Sequence, residues 1–246
     1  MLIGSYSPSL VAISLFVAIL ASYTALDLTG RIATAKGRAV YLWIAGGAMA
    51  MGVGVWSMHF IGMLAFAVCA RGRFDAVTTV LSMLPSVLAS WVALGLLMRR
   101  EIGRLALVVG GVFVGAGIGA MHYIGMAASQ WASVMRYDPW GFAASVLVAV
   151  LLAIVALWVR FGLERVVRWR RQRLDWAAGA VMGLAIAGMH YTGMAALRFI
   201  DEPDELELLA AADGTPLALG IAGVAVVIGL LVAAVNAGLR YRQMFM

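Results

Sequence analysis

The hexapeptide Met58-His59-Phe60-Ile61-Gly62-Met63 occurs three times in this chain with at most two substitutions. It recurs as Met-His-Tyr-Ile-Gly-Met at 121–126 and as Met-His-Tyr-Thr-Gly-Met at 189–194. The three histidines of these motifs are the only histidines of the protein, and they are 63 and 68 residues apart. Each period is long enough for two membrane helices, so the spacing predicts an internal repeat of helix pairs.

The composition around the motifs is that of a membrane protein. Of the 246 residues, 64% are hydrophobic and only 12% are charged, which is far from the average of soluble domains. The net charge of +6 does not indicate a nucleic-acid partner, because the basic residues lie in short gaps between apolar runs. The single cysteine, Cys69, excludes an internal disulfide and a cysteine-cluster metal site.

Seven apolar stretches approach the roughly 20 residues that a helix needs to cross a bilayer. They are Pro8–Asp27, Val40–Val68, Ala76–Met98, Leu105–Ser129, Gly141–Val159, Leu174–Leu197 and Pro216–Ala237. The sequence therefore predicts an all-α membrane protein with seven transmembrane helices, built from three two-helix repeats plus one further helix.

The basic residues predict the orientation. Of the 18 lysines and arginines, 14 lie after the first, third and fifth stretches or in the C-terminal tail, and by the positive-inside rule these segments are cytoplasmic. The N-terminus is then outside and the C-terminus in the cytoplasm. The second, fourth and sixth helices run outward, with their histidines at similar depth in the outer half. Only about ten residues follow the last stretch, too few for a core, so residues 1–246 are expected to form one domain without a soluble output domain or enzymatic activity.

Helical geometry ranks the polar and sulfur side chains of each motif. A histidine at position i and a methionine at i+4 share one helix face, whereas the methionine just before the histidine points about 100° away. The predicted inward pairs are His59 with Met63, His122 with Met126, and His190 with Met194. The preceding methionines, Met58, Met121 and Met189, are expected to bind a second ion or to line its approach.

This combination of side chains points to copper. Ionisable groups at membrane depth are costly and usually have a partner inside the bundle. Imidazole suits copper, zinc, iron and nickel, and thioether narrows the choice towards Cu(I). One histidine alone would be interpreted as a packing residue, but three matched copies favour a metal site. The prediction is one or two copper ions, as Cu(I) or Cu(II).

Small residues at four-residue spacing are predicted to let the motif helices approach closely, bringing the histidines within range of one ion. They are Gly46, Ala50 and Gly54; Gly111, Gly115 and Gly119; and Gly179 and Gly183. Tyr123 and Tyr191 follow their histidines, and either orientation of the imidazole or simple packing would explain them.

At these motifs the chain resembles the MHYT family of bacterial membrane sensor domains. The naming string is intact at Met189–Thr192, and the likeness extends from Ala21–Asp27 through all three copies. The resemblance implies a seven-helix module of the inner membrane that binds copper near the outer face and senses oxygen, carbon monoxide or nitric oxide. Family members often carry cytoplasmic cyclic-di-GMP domains, so here a separate cytoplasmic or membrane signalling partner is expected.

The leading hypothesis is therefore a copper-binding sensory module that detects copper or a diatomic gas. Three alternatives remain at this point. A copper transporter or membrane chaperone would use the same ligands, a b-type haem protein would use histidine or methionine as axial ligands, and a purely structural bundle would need neither.

Overall fold

The computed structural model describes residues 6–66, 74–96, 103–129, 135–163, 166–167 and 169–199, together with Gly220, Gly223 and Val227. This part of the chain is helical apart from short bridges. The helices are α1 (Pro8–Thr34), α2 (Arg38–Ala65), α3 (Ala76–Leu81), α4 (Leu84–Leu96), α5 (Arg104–Ala127), α6 (Pro139–Leu157) and α7 (Arg171–Ala195).

Five helical segments are long and apolar enough to cross a membrane, namely α1, α2, α3 with α4, α5, and Pro139–Gly162. The 25-residue α7 matches the sixth predicted stretch but begins with charged residues and is not among these five. The seventh stretch, Pro216–Ala237, lies outside the described residues except for Gly220, Gly223 and Val227. The all-α membrane class is confirmed, whereas seven helices, the repeat organisation and the orientation of the termini stay predictions.

The third stretch is not the single helix that we expected. It divides into α3 and α4, which are separated by a turn at residues 82–83. Pro85 explains the break, because a proline has no backbone N–H and its ring clashes with the carbonyl four residues earlier, here Leu81. The fifth stretch continues further than predicted, through a π-helical turn at Trp158–Gly162.

The three motif helices form the centre of the bundle. α2, α5 and α7 contact one another, and each groove between two of them holds a peripheral helix. α1 packs between α2 and α7, α4 between α2 and α5, and α6 between α5 and α7. The histidines lie in the last two turns of the central helices, so one end of the bundle carries all three motifs.

Backbone contacts close each helix pair at the motif end. The residues just before α1, α3 and α6 each donate their N–H to the carbonyl of an alanine six residues after a motif histidine, at 2.8–2.9 Å. These pairs are Ser7 with Ala65, Asp75 with Ala128, and Asp138 with Ala196. Next to them lie the bridges Tyr6–Phe66 and Phe74–Ser129 and the antiparallel strands β1 (Met135–Tyr137) and β2 (Leu197–Phe199). The three motif ends are thus held in the same local geometry.

We predicted that the small-residue faces would join the motif helices to one another. Most of them face peripheral helices instead. Methyl groups added at Gly111 and Gly115 would meet the α6 backbone, and those at Gly179 and Gly183 would meet the α1 backbone. A methyl group at Gly54 would meet the Cβ atom of Ala21 in α1. These glycines mainly seat peripheral helices against central ones, since small residues allow close approach of backbones.

A buried ion pair lies at the opposite end of α7. Asp175 contacts Arg160 of the π-helical turn, and the two side chains are 1% and 3% exposed. Arg171 lies 3.6 Å from the same carboxylate and donates to the backbone carbonyl of Asp27 in α1 at 3.3 Å. These contacts join α1, α7 and the end of the fifth apolar stretch.

Candidate metal centre

The three motif histidines meet on the axis of the bundle. The Nδ1 atoms of His59 and His122 are 3.1 Å apart, and each lies 3.2 Å from Nδ1 of His190. All three side chains are buried, with at most 1% of their surface exposed. One imidazole from each central helix therefore contributes one corner of a nearly equilateral triangle of nitrogen atoms.

The rings are arranged like the blades of a propeller. Their planes cross at 83–86° with centroids 4.9–5.1 Å apart, so no two imidazoles stack. Each ring also lies edge to face against the aromatic residue that follows it in sequence, at 4.8 Å. The repeated packing fixes all three rings with the same nitrogen turned inward.

The motif glycine makes room for the neighbouring histidine. A methyl group at Gly125 would lie 2.6 Å from Nε2 of His59, and one at Gly193 would lie 2.8 Å from Nε2 of His122. A methyl group at Gly62 would clash with Nε2 of His190 in the same way. Each imidazole thus lies against the glycine of the next helix around the axis, and the contact repeats cyclically. This role explains why a glycine follows each histidine by three residues.

Neutral imidazoles alone leave this arrangement unsatisfied. A neutral histidine carries one N–H, and no assignment of three such protons gives every Nδ1 pair one donor and one acceptor. The three Nε2 atoms have no hydrogen-bond partner among the described residues. Buried polar nitrogens normally have partners. A cation between the Nδ1 atoms would accept the three Nδ1 lone pairs at once, with the proton of each ring on Nε2.

The size of the triangle fits a transition-metal ion. Its centre lies about 1.8 Å from each corner, close to the ~2.0–2.1 Å of a zinc–imidazole bond. Within the described residues, these three histidines are the only group of three or more histidine, cysteine or acidic side chains placed to hold an ion. Neutral nitrogen donors suit copper, zinc, iron and nickel and do not suit magnesium or calcium.

The two sets of motif methionines lie in different places. Met63, Met126 and Met194 meet in one buried cluster, one turn beyond the histidines towards the helix C-termini. Met58, Met121 and Met189 are also buried, but they belong to the large apolar core of the bundle. The face shared by each histidine with the methionine at i+4 is therefore the face turned to the axis. Because both the histidines and these methionines converge, the three central helices run in the same direction.

The motif tyrosines contact peripheral helices rather than the imidazole nitrogens. Tyr123 and Ser145 share a hydrogen bond of 2.7 Å, and Tyr191 and Ser14 share one of 2.9 Å. Each serine hydroxyl already donates to a carbonyl of its own helix, so the tyrosine is the donor. The tyrosines anchor the motif to α6 and α1, which supports the packing interpretation. Phe60 has no such bond, but packs against Phe74 and Trp56.

Two functional features were missed by sequence reasoning. The motif glycines were part of the quoted repeat, and their invariance among the three copies was a signal for a steric role that we did not use. Met135 lies outside the motifs and joins the cluster of Met63, Met126 and Met194 from strand β1. No spacing rule would have identified it, since its position depends on the pairing of β1 with β2.

Comparison with known proteins finds one family model that matches the chain three times. The family model MHYT, described as a bacterial signalling protein N terminal repeat, matches residues 52–110, 115–178 and 183–245. The chain belongs to the MHYT family. The resemblance inferred from the motifs is thereby confirmed, and each MHYT match contains one of the three histidines.

Curated relatives of this MHYT domain are signalling proteins. The bifunctional diguanylate cyclase/cyclic di-GMP phosphodiesterase MucR of Pseudomonas aeruginosa is 49% identical over 203 residues, which are 81% of this chain and 29% of MucR. The cyclic di-GMP phosphodiesterase NbdA of the same organism is 41% identical over 217 residues, or 87% and 27% of the two chains. The signaling protein YkoW of Bacillus subtilis is 34% identical over 198 residues, or 79% and 24%.

The MHYT chain described here spans less than a third of the length of each of these relatives. No solved structure matches it. Its apolar helices and its family make it a multi-pass membrane protein with a sensor domain of the kind found in bacterial signalling proteins.

Proposed function

We propose that this MHYT domain is a copper-binding sensory module of the bacterial inner membrane, and that His59, His122 and His190 hold the ion. The observation that carries the proposal is the triangle of three buried Nδ1 atoms with sides of 3.1–3.2 Å. Copper is preferred over zinc because the next layer along the axis consists of thioethers, which favour Cu(I). Met63, Met126 and Met194 are the methionines of that layer.

The protein residues prepare the site before any metal binds. The glycines at 62, 125 and 193 leave space for the rings, and the following aromatic residues fix the ring planes. Burial excludes bulk water from the site, since the three histidines are at most 1% exposed. A bound Cu(I) ion would supply a Lewis-acidic centre with affinity for small diatomic ligands such as carbon monoxide, oxygen or nitric oxide.

We propose sensing rather than catalysis or transport. A transporter needs polar groups along a route to both membrane faces, whereas the axis on the other side of the triangle is filled by the apolar core that contains Met58, Met121 and Met189. We propose that those three methionines pack against the site rather than bind a second ion. Binding would bias the packing of the central helices, and a cytoplasmic or membrane signalling partner would detect that bias.

A b-type haem is disfavoured by the same distances. A haem iron between two of these imidazoles would need its macrocycle in the space that the third imidazole occupies, because all three Nδ1 atoms lie within 3.2 Å of one another. The space between the three nitrogens accommodates a single metal ion.

The test is the metal content of the purified protein in detergent after reductive loading with copper. We expect bound copper in the wild type, and carbon monoxide uptake by the loaded protein but not by the metal-free protein, measured by infrared absorption. His122→Ala should lose the copper, while the control Ser57→Ala should keep it. Ser57 is also buried, but within the described part of the chain its hydroxyl bonds only to the Val53 carbonyl of its own helix. A histidine variant that keeps its copper would contradict the proposal, and so would a wild type that takes up none.

A further inference from the structure

The contacts between motif helices and peripheral helices repeat with one register. A methyl group added to the glycine seven residues before a motif histidine would meet the backbone of a peripheral helix. These contacts are Gly52 with Val87 of α4, Gly115 with Val150 of α6, and Gly183 with Ile19 of α1. Each partner lies twelve residues after the residue whose N–H bonds to the alanine carbonyl at the motif end. Positions on the three peripheral segments can therefore be matched one by one.

A serine occupies the same matched position on each peripheral segment. It is fully buried there and donates its hydroxyl to a carbonyl three residues earlier, at 2.7–2.8 Å. These serines are Ser14, Ser82 and Ser145. The first and the third also accept a hydrogen bond, from Tyr191 and Tyr123 respectively. The matching residue on α2 is Phe60, which has no hydroxyl, so the contact between α2 and α3 lacks this bond.

The contact between α2 and α3 differs from the other two in further ways. Trp56 donates its indole N–H to the Thr79 carbonyl at 2.7 Å, whereas α5 and α7 have the small residues Gly119 and Ala187 at the matching position. The Thr79 hydroxyl is buried and has no hydrogen-bond partner among the described residues. The peripheral segment is interrupted at residues 82–83, whereas α1 and α6 continue through the matching residues. One indole ring thus fills the space beside an interrupted helix.

This contact lies between the lipid-facing surface and the imidazole triangle. The outward side of α3 carries exposed apolar side chains, namely Val77, Val80 and Leu81. In a membrane helix such side chains contact hydrocarbon chains. On the inner side, Phe60 packs against Trp56, and its ring lies edge to face against the His59 imidazole with centroids 4.8 Å apart. Two aromatic rings therefore separate the hydrocarbon from the candidate metal centre.

The approach along the axis from the motif end is covered. Met63, Met126 and Met194 are at most 6% exposed, and Phe66 and Tyr137 pack against their cluster. A small neutral molecule of low polarity can cross hydrocarbon, whereas an ion or a strongly polar molecule is costly to transfer there. A passage between α2 and α3 would thus select for small apolar molecules.

We propose that diatomic gases reach the metal centre from the lipid between α2 and α3, and that Trp56 and Phe60 are the gate. This inference rests on the proposed function, since the gas binds at the copper. The gate opens when α3 moves about the break at residues 82–83, a motion that no serine–tyrosine bond resists at this contact. The other two contacts are held by such bonds and stay closed. Local opening occurs where the packing is least stabilised.

Carbon monoxide rebinding after flash photolysis measures the gate. The full chain is loaded with Cu(I) in lipid nanodiscs, and association and dissociation are followed through the infrared band of bound carbon monoxide. Phe60→Tyr places a hydroxyl opposite Ser82 and should slow association about fivefold. Trp56→Phe removes the hydrogen bond to the Thr79 carbonyl and should accelerate association by about the same factor.

Two controls separate the gate from the added hydroxyl itself. Phe60→Tyr combined with Ser82→Ala lacks the acceptor and should return to the wild-type rate. Phe113→Tyr adds a hydroxyl to an exposed ring of α5 and should leave the rate unchanged. A gate alters entry and exit by the same factor, so the affinities for carbon monoxide and copper should be equal in all these variants.

A wild type that binds copper and carbon monoxide, with association unaffected in Phe60→Tyr or in Trp56→Phe, would overturn the gate and leave the proposed function in place. A change in carbon monoxide affinity as large as the change in rate would also overturn the gate, because the two residues would then act on the copper ion itself. A wild type that binds no copper or no carbon monoxide would contradict the proposed function, and the gas route would fall with it.

Discussion

The two ends of the central helices differ in how strictly they repeat. At the motif end, each helix contributes a histidine, a glycine and a methionine to the same axis. Fifteen residues earlier in sequence, α7 has Asp175, whereas α2 and α5 have the buried apolar residues Ile44 and Leu107. The Asp175–Arg160 pair is thus particular to one helix. A cation on the axis needs all three helices, but an ion pair needs only two partners.

This difference separates binding from stability. Changes at the motif end should alter metal affinity, and changes at the Asp175 end should alter folding without altering the donor set. The two ends are therefore tested with two separate measurements, metal affinity and thermal unfolding in detergent.

The largest expected effect is at the triangle. Replacing any one histidine, for example His59→Ala, leaves two Nδ1 donors and should weaken copper binding more than about 1,000-fold, which is roughly 4 kcal/mol. Competition titration with a Cu(I) chelator measures this affinity. Because the three corners are equivalent within 0.1 Å, the three single variants should agree closely. If one of the three histidines proved dispensable for copper binding, the threefold interpretation of the site would be wrong.

The second largest expected effect is at the buried ion pair near the other end of α7. Asp175→Asn removes the negative charge that contacts Arg160, whose side chain is 3% exposed, and should destabilise the protein by about 3–5 kcal/mol. Thermal unfolding measured by circular dichroism would detect this loss. Copper affinity of the folded fraction should be unchanged.

The double variant Asp175→Leu with Arg160→Leu provides the control. It should recover most of the stability, since apolar replacement of a buried ion pair is often neutral and the other two helices already have apolar residues at that position. If the double variant is as unstable as Asp175→Asn, the charge explanation is wrong.

A smaller change at the motif end concerns the glycine contact. Gly125→Ala places a methyl group 2.6 Å from Nε2 of His59 and should displace that ring, weakening copper binding about 10- to 100-fold. The matched control is Gly95→Ala in α4, where an added methyl group meets nothing within 4 Å. Equal affinities in the two variants would show that the glycine does not position the imidazole.

The smallest expected effect is at the tyrosines. Tyr123→Phe removes the 2.7 Å bond to Ser145 and recreates the residue found at position 60. We expect a loss of about 1 kcal/mol in stability and no change in copper affinity, both measured as above. A large loss of copper would mean that the hydroxyl orients the imidazole after all.

The sequence was sufficient for the parts of the site that depend on local periodicity. Repetition of His59, His122 and His190 predicted their convergence, and the spacing of i and i+4 predicted that Met63 shares the face of His59. Both follow from helix geometry, which is the same at every residue. The family was also identified from these motifs.

Features that depend on packing between helices were not predictable in this way. The glycines at four-residue spacing in α5 and α7 were expected to join motif helices, but they contact α6 and α1; they are Gly111, Gly115, Gly179 and Gly183. The spacing of small residues identifies a face that allows close packing, but it does not identify the helix that packs there. Pro85 causes the break between α3 and α4 locally. The length of the apolar stretch alone gave no indication of this break. Met135 reaches Met63, Met126 and Met194 through a strand pairing between segments about 60 residues apart, which no periodic pattern encodes.

The central claim is that three Nδ1 atoms hold one copper ion, and X-ray absorption at the copper edge tests it most directly. With copper loaded at one ion per chain under reducing conditions, the account predicts about three nitrogen neighbours near 2.0 Å with the multiple scattering of imidazole rings. His190→Ala should remove that signal. A copper spectrum from the wild type without imidazole scattering would contradict the account.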